Sequence, residues 1–232
     1  MEKRFSFSPE EPERKKRTGI QKAIEVLQKK YPEILGMTLF GSLAKGTDNK
    51  FSNDIDGYVY LEADDVAKKE NMKTEQIVFY TDRNRGDILK GKVLNPRLKK
   101  EIAQKYEAEI RQELLQNNPE LKPCQVEHTW VFPINEVIIN NLIDGYVDRK
   151  YEAGDMLRGL FHLRVGQGKK IQKYRKIIID KLDSLGERGE EAWQRFIHTV
   201  AFFEQDTRVE GTEARVEERY YPQTIQEAKR VY

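Results

Sequence analysis

The sequence predicts an α+β fold: a mixed β-sheet flanked by helices, followed by an α-helical C-terminal half. Three observations carry that expectation. Before Pro133, short runs rich in β-branched and aromatic residues alternate with stretches of helical period. After Pro133 only helical periodicity remains, cut by Gly154, Gly166, Gly168, Gly186 and Gly189. The 232 residues suffice for one large domain or two small ones, and no internal repeat divides them.

The elements follow in order. The first 17 residues are charged and carry Pro9 and Pro12, which reads as an N-terminal arm. Ile20, Ala23, Ile24 and Leu27 recur at helical spacing, so a helix is expected over 18–31, ended by Pro32. Residues 37–40 read as a short buried strand, 41–53 as turn and loop, and 55–61 as a second strand. Asp64 and Asp65 suit a helix N-terminus, and 76–80 a further strand. Pro96 is expected to open a helix to about residue 116, because Leu98, Ile102, Tyr106, Ile110 and Leu114 recur every four residues. Residues 125–132 read as a strand. Helices are then predicted over 135–149, 151–164, 169–184 and 188–205. The expected division is an α/β unit over 18–134, a helical unit over 135–206 and a charged tail over 207–232.

Composition excludes several classes. A single cysteine, Cys124, forbids an internal disulfide, and three histidines argue against a Cys/His zinc site. Met1-Glu2-Lys3-Arg4 leads into no apolar leader, and no apolar run is long enough to cross a bilayer. The chain is therefore expected in the cytoplasm. A net charge of +2 neither requires nor excludes a nucleic-acid partner.

Asp54 and Asp56 lie two apart at the start of a predicted strand, so both carboxylates point to one face. Two carboxylates this close repel unless a cation lies between them, and hard oxygen donors suit Mg²⁺ or Mn²⁺. Upstream, Phe40-Gly41-Ser42 closes a buried strand and Gly46 follows in the loop. A glycine at a strand end lets backbone N–H groups approach a phosphate closely. The Walker phosphate loop is excluded, since no Gly-Lys-Ser/Thr follows at its spacing.

The run Leu39-Phe40-Gly41-Ser42-Leu43-Ala44-Lys45-Gly46-Thr47, with Ser52-Asn53-Asp54-Ile55-Asp56 after it, resembles the signature of the nucleotidyltransferase superfamily. That group includes DNA polymerase beta, antibiotic nucleotidyltransferases and minimal nucleotidyltransferases. One departure is Asn53, which separates the usual serine from the first aspartate. The resemblance implies a nucleotidyltransferase domain over 18–134. It implies an NTP, ATP among the candidates, with its triphosphate against Gly41, Ser42 and the Lys45 of the same motif. It implies divalent metal at Asp54 and Asp56, and transfer of a nucleoside monophosphate to an acceptor hydroxyl with release of pyrophosphate.

The family usually adds a third carboxylate on a later strand. If 125–132 is a regular strand, Gln125, Glu127 and Thr129 share a polar face, so Glu127 is preferred over Glu75 as a catalytic metal ligand. His128 then points away as a packed residue, and Cys124 reads as a small buried group. Gly166-Gln167-Gly168 opening a helix suggests an anion site, with Lys169 and Lys170 as further phosphate contacts. The aromatics Phe161, Trp193, Phe196, Phe202 and Phe203 read as helix-packing residues. A small-molecule acceptor is favoured. The alternatives are a protein-modifying or non-catalytic regulator of toxin–antitoxin type, and an enzyme acting on RNA ends.

Overall fold

A computed structural model describes residues 11–40, 54–84, 91–161, 164–165, 169–204 and 221–232. Its strands are β1 (Ile34–Leu39), β2 (Gly57–Glu62), β3 (Val78–Asn84), β4 (Lys92–Leu98), β5 (Thr129–Ile134) and β6 (Arg164–Val165). Four of them form a mixed sheet in the order β5-β2-β1-β6. β2 runs antiparallel to β1 and parallel to β5, and β6 runs antiparallel to β1. β3 and β4 form a separate antiparallel hairpin. The helices are α1 (Glu11–Lys30), α2 (Ala63–Lys69), α3 (Thr74–Ile77), α4 (Lys100–Asn117), α5 (Glu136–Val147), α6 (Asp155–Gly159), α7 (Lys169–Asp183), α8 (Glu187–Glu204) and α9 (Ile225–Val231). The α+β class expected from the sequence is the one observed.

Alternation along β2 sorts its side chains between two cores. Val59 and Leu61 face one side with Met37 and Leu39 of β1. There α1 (Ile20, Ile24, Leu27) and α4 (Ile102, Tyr106, Ile110, Leu114) cover them. Tyr58 and Tyr60 face the other side with Phe132 of β5, beneath α5, α6, α7 and α8. Each fully buried Leu, Ile or Phe contributes about 1.5–3 kcal/mol by leaving water. The helical half thus rests on the sheet face that also bears the even-numbered residues of β2. Phe161, Trp193 and Phe196 lie in this core, packed edge-on or tilted, as their helical spacing suggested. The side chains of Phe202 and Phe203 lie outside the described residues.

Several local expectations fail. Pro96 does not open a helix. It pairs with Tyr80 in the hairpin, and the helix begins at Lys100. Its apolar period cannot reveal a partner strand some fifteen residues away. Among the described residues of the stretch 151–164 only 155–159 are helical, and Arg164 and Val165 instead pair with β1. The basic run Arg14–Arg17 belongs to α1, which begins at Glu11. Within the tail, α9 is capped by the Thr224 hydroxyl, which accepts from Glu227 N–H, and Ile225 and Ala228 are buried. Trp193 Nε1 donates to the Pro222 carbonyl at 2.9 Å, tying this segment to α8. Cys124 is exposed, not buried.

The turn between α1 and β1 holds a buried acid. Glu33 is 5 % exposed, and its Oε1 accepts from Lys69 Nζ at 2.7 Å and from the Tyr106 hydroxyl. Burial alone pushes the Glu33 carboxyl up. The hydrogen bonds from Lys69 and Tyr106 outweigh it, and the carboxyl sits below its ordinary value. A carboxyl lowered in the folded state contributes stability that is complete above its unfolded value, about 4.3, and lost as pH falls through the folded value. Urea unfolding midpoints should therefore be level in this respect above about pH 5 and decline below about pH 4. Glu33→Gln should flatten that decline. Identical acid slopes for wild type and variant would remove the assigned contribution.

Candidate functional site

Residues 54–56 lead into β2 and are held on both flanks by backbone hydrogen bonds. On the β1 side, Phe40 N–H donates to the Asp56 carbonyl at 3.1 Å. On the β5 side, Ile55 N–H donates to the Gln125 carbonyl at 2.7 Å and Gly57 N–H to the His128 carbonyl at 3.2 Å. The Thr129 hydroxyl donates to the Ile55 carbonyl at 3.4 Å. Ile55 is fully buried in the core beneath α1 and α4. Its alternation forces Asp54 and Asp56 to the opposite face. Both remain partly exposed, so two carboxylates stand on a rigid backbone at an open sheet end.

The parallel register Gly57↔Thr129, Tyr58↔Trp130 and Tyr60↔Phe132 carries this face across to β5. His128 consequently lies beside Asp56, with Nδ1 at 3.2 Å from Oδ1. The side chain of His128 is 58 % exposed and that of Asp56 20 %. From His128 a row of nearly parallel rings extends. His128 and Trp130 are 5.8 Å apart at 9°, and Trp130 and Phe40 are 5.9 Å apart at 7°. Tyr58 stacks against Phe40 at 4.5 Å. The helical half covers this face from Tyr58 inward, where Gly159 of α6 packs directly on the Tyr58 ring, and leaves Trp130 exposed.

The sequence-predicted site residues fare differently. Asp54 and Asp56 flank the buried Ile55 just before β2, and both are partly exposed. Gly41, Ser42 and Lys45 lie outside the described residues. The chain reaches Phe40, one residue short of Gly41, hydrogen-bonded to Asp56. Glu127 does not lie on a strand. It follows a 3-10 turn (Pro123–Val126), with φ −69° and ψ −26°, and is exposed. Pro123 at the first turn position and the helical backbone at Glu127 break the two-residue period on which its assignment rested. Among the described residues no group of three or more carboxylate, histidine or cysteine side chains is arranged to hold a metal. Glu75, the alternative, lies on α3 and is also exposed. His128, expected to be packed, is the residue beside Asp56.

Lys170 is likewise not brought to the carboxylates. Its Nζ donates to the Pro32 carbonyl at 3.0 Å, next to the strand end where Ile34 pairs with Leu61. Asp56 lies at the opposite end, where Leu39 pairs with Gly57. The intervening strand spans about 15–20 Å. Lys169 precedes Lys170 in the same helix, and its side chain lies outside the described residues. Alternation had already set His128 on the face opposite Glu127. Recognising that face as the one bearing Asp56 needed the register between β2 and β5.

No helix among the described residues is long and apolar enough to cross a membrane. No curated protein and no solved structure was found to match the chain. The family model of the nucleotidyltransferase domain matches residues 20–127, which begin in α1 and end beside the segment that clamps Asp56. This stretch of the chain matches the nucleotidyltransferase domain, which supports the resemblance to the nucleotidyltransferase superfamily.

Proposed function

We propose that the protein transfers a nucleoside monophosphate from an NTP to the hydroxyl of a small-molecule acceptor, releasing pyrophosphate in a metal-dependent reaction. The observation that supports this reading is the two-sided backbone clamp on 55–57, with Asp54 and Asp56 partly exposed on either side of the buried Ile55. Two hard oxygen donors, neither buried nor held on a flexible loop, are the donor chemistry a divalent ion such as Mg²⁺ takes. When bound, such an ion would neutralise triphosphate charge and lower the pKa of the acceptor hydroxyl.

The chain's own contributions can be separated. Asp54 and Asp56 would hold the ion, while donation from Phe40 N–H and the Thr129 hydroxyl, and acceptance by the Gln125 and His128 carbonyls, keep residues 55–57 fixed. His128 contacts Asp56 Oδ1 and so limits its rotamers, a positioning role. Gly41-Ser42 follows directly on Phe40 and is the proposed triphosphate contact. Preorganisation of this kind is where a phosphoryl-type transfer gains most of its acceleration.

The test incubates the protein with α-³²P- and γ-³²P-labelled NTPs, Mg²⁺ or Mn²⁺ and pooled acceptors. Label should reach an acceptor from the α position only, and γ label should appear in pyrophosphate. Transfer from the γ position, or none from either, would reject the proposed reaction. Labelled RNA or labelled protein in place of a small product would reject the proposed acceptor class.

A further inference from the structure

We infer that His128 is a further catalytic residue: its Nε2 accepts a hydrogen bond from the attacking hydroxyl and orients that oxygen towards the phosphate. The inference rests on the nucleotidyl-transfer reading above and deepens it, adding a direct substrate contact to the positioning role that Nδ1 performs.

Tautomer chemistry is the first support. Nδ1 of His128 lies 3.2 Å from Asp56 Oδ1. A carboxylate accepts hydrogen bonds and does not donate them, so the shared hydrogen sits on Nδ1. In the neutral ring Nε2 then carries a lone pair and no hydrogen. Such an atom draws a hydroxyl, which has a hydrogen to give. It repels the oxygens of a triphosphate, which have none. The hydrogen bond to Asp56 therefore selects which of the two substrates the other nitrogen meets.

Geometry is the second support. The imidazole is fixed in two directions. One nitrogen is held by Asp56, and the ring plane lies nearly parallel to Trp130, at 9° with centroids 5.8 Å apart. The backbone beneath it is held too, since the His128 carbonyl accepts from Gly57 N–H at 3.2 Å. Stacking uses the face of the ring and not the edge that bears Nε2. The side chain is 58 % exposed, and among the described residues Nε2 has no hydrogen-bond partner. Both nitrogens belong to one rigid ring, so a hydroxyl bonded to Nε2 is held close to the Asp56 carboxylate. Orientation fixed before the substrate arrives is what an in-line displacement rewards.

The test separates the two nitrogens. In His128→Asn the amide nitrogen takes the place of Nδ1 and still donates to Asp56, but nothing stands where Nε2 was. In His128→Gln the amide reaches the Nε2 position. The full-length proteins are compared in transfer from α-labelled NTP to the pooled acceptors of the transfer assay. They are also titrated by calorimetry with Mn²⁺ alone and with a non-reactive NTP analogue plus Mg²⁺, and melted. His128→Asn should transfer label about tenfold more slowly, the worth of one net hydrogen bond. Its Mn²⁺ and analogue affinities should stay within about twofold of wild type, at an unchanged Tm. His128→Gln should recover part of the lost rate. NMR of the ¹⁵N-histidine protein, with the His128 signals identified by their loss in His128→Asn, should show the neutral ring with its hydrogen on Nδ1.

A hydrogen on Nε2, or transfer at the wild-type rate by His128→Asn, would overturn the inference. So would slower transfer accompanied by weaker Mn²⁺ binding, which would confine the ring to holding Asp56. Slower transfer with weaker binding of the analogue would overturn it too, by turning Nε2 towards the triphosphate. His128→Gln slower than His128→Asn would count against it in the same way. Absence of transfer by the wild type is a separate failure: it rejects the nucleotidyl-transfer reading and this substrate role with it, while the tautomer is still read without turnover.

Discussion

Asp56→Asn should reduce nucleotidyl transfer by about a thousandfold or more, with the folded state essentially unchanged. The substitution keeps the size of the side chain and can keep a hydrogen bond to His128. It removes one negative charge from a pair that the backbone holds on a single face. The bonds that fix this segment, from Phe40 N–H to the Asp56 carbonyl and from Gly57 N–H to the His128 carbonyl, are main-chain bonds and do not depend on the carboxylate. Asp56 is partly exposed, so no buried group is left without a partner by the change. Asp54→Asn should behave alike. The measurement is kcat with α-labelled NTP alongside a thermal melt. Near-wild-type turnover would remove the carboxylate pair from the mechanism. Loss of activity together with a large drop in Tm would mean that the aspartate serves the scaffold instead.

Gly159→Ala should destabilise the protein by about 1–3 kcal/mol, the usual result of overpacking a rigid site. A Cβ at this position would lie 2.3 Å from Tyr58 Cδ2, 2.9 Å from Tyr58 Cε2 and 2.5 Å from the Tyr60 hydroxyl oxygen. Neither ring can yield easily. Tyr60 is fully buried and its hydroxyl donates to the Met156 carbonyl at 3.1 Å. Tyr58 is stacked on Phe40 and edge-on to Phe132. Either α6 moves outward or β2 moves, and Tyr58 is only two residues from Asp56. The expected result is a lower urea midpoint, with a fall in kcat larger than in the NTP KM. Helix propensity alone favours alanine over glycine, so an unchanged or raised midpoint would show that α6 is free to shift.

These two expectations draw on different kinds of information. The burial of Ile55 between the two partly exposed aspartates was legible because apolar and acidic residues alternate there within three positions. The core packing of Trp193 and Phe196 was legible because helical spacing is local too. The assignment of Glu127 was not, because Pro123 starts a tight turn that consumes residues 123–126 and shifts the first strand residue to Thr129. Pro96 misled because a four-residue apolar period carried on into a strand whose partner, 78–84, is set by pairing and not by local preference. Lys170 misled because a glycine-rich helix start says nothing about which end of the sheet it meets.

By itself, the sequence determined the residue chemistry and the short periods: a buried strand before Phe40, a buried Ile55 between two acids just before the next strand, and an apolar stripe on each long helix. Those follow from dihedral preference and side-chain spacing within a few residues. Only the tertiary structure decided which faces meet. The parallel register of β2 with β5 brought His128 and Trp130 beside Asp56. The docking of α6 through Gly159 left that end of the sheet open, and β6 closed the far edge against β1. Each depends on contacts between residues tens of positions apart, whose relative placement is set by core packing and strand pairing over the whole chain.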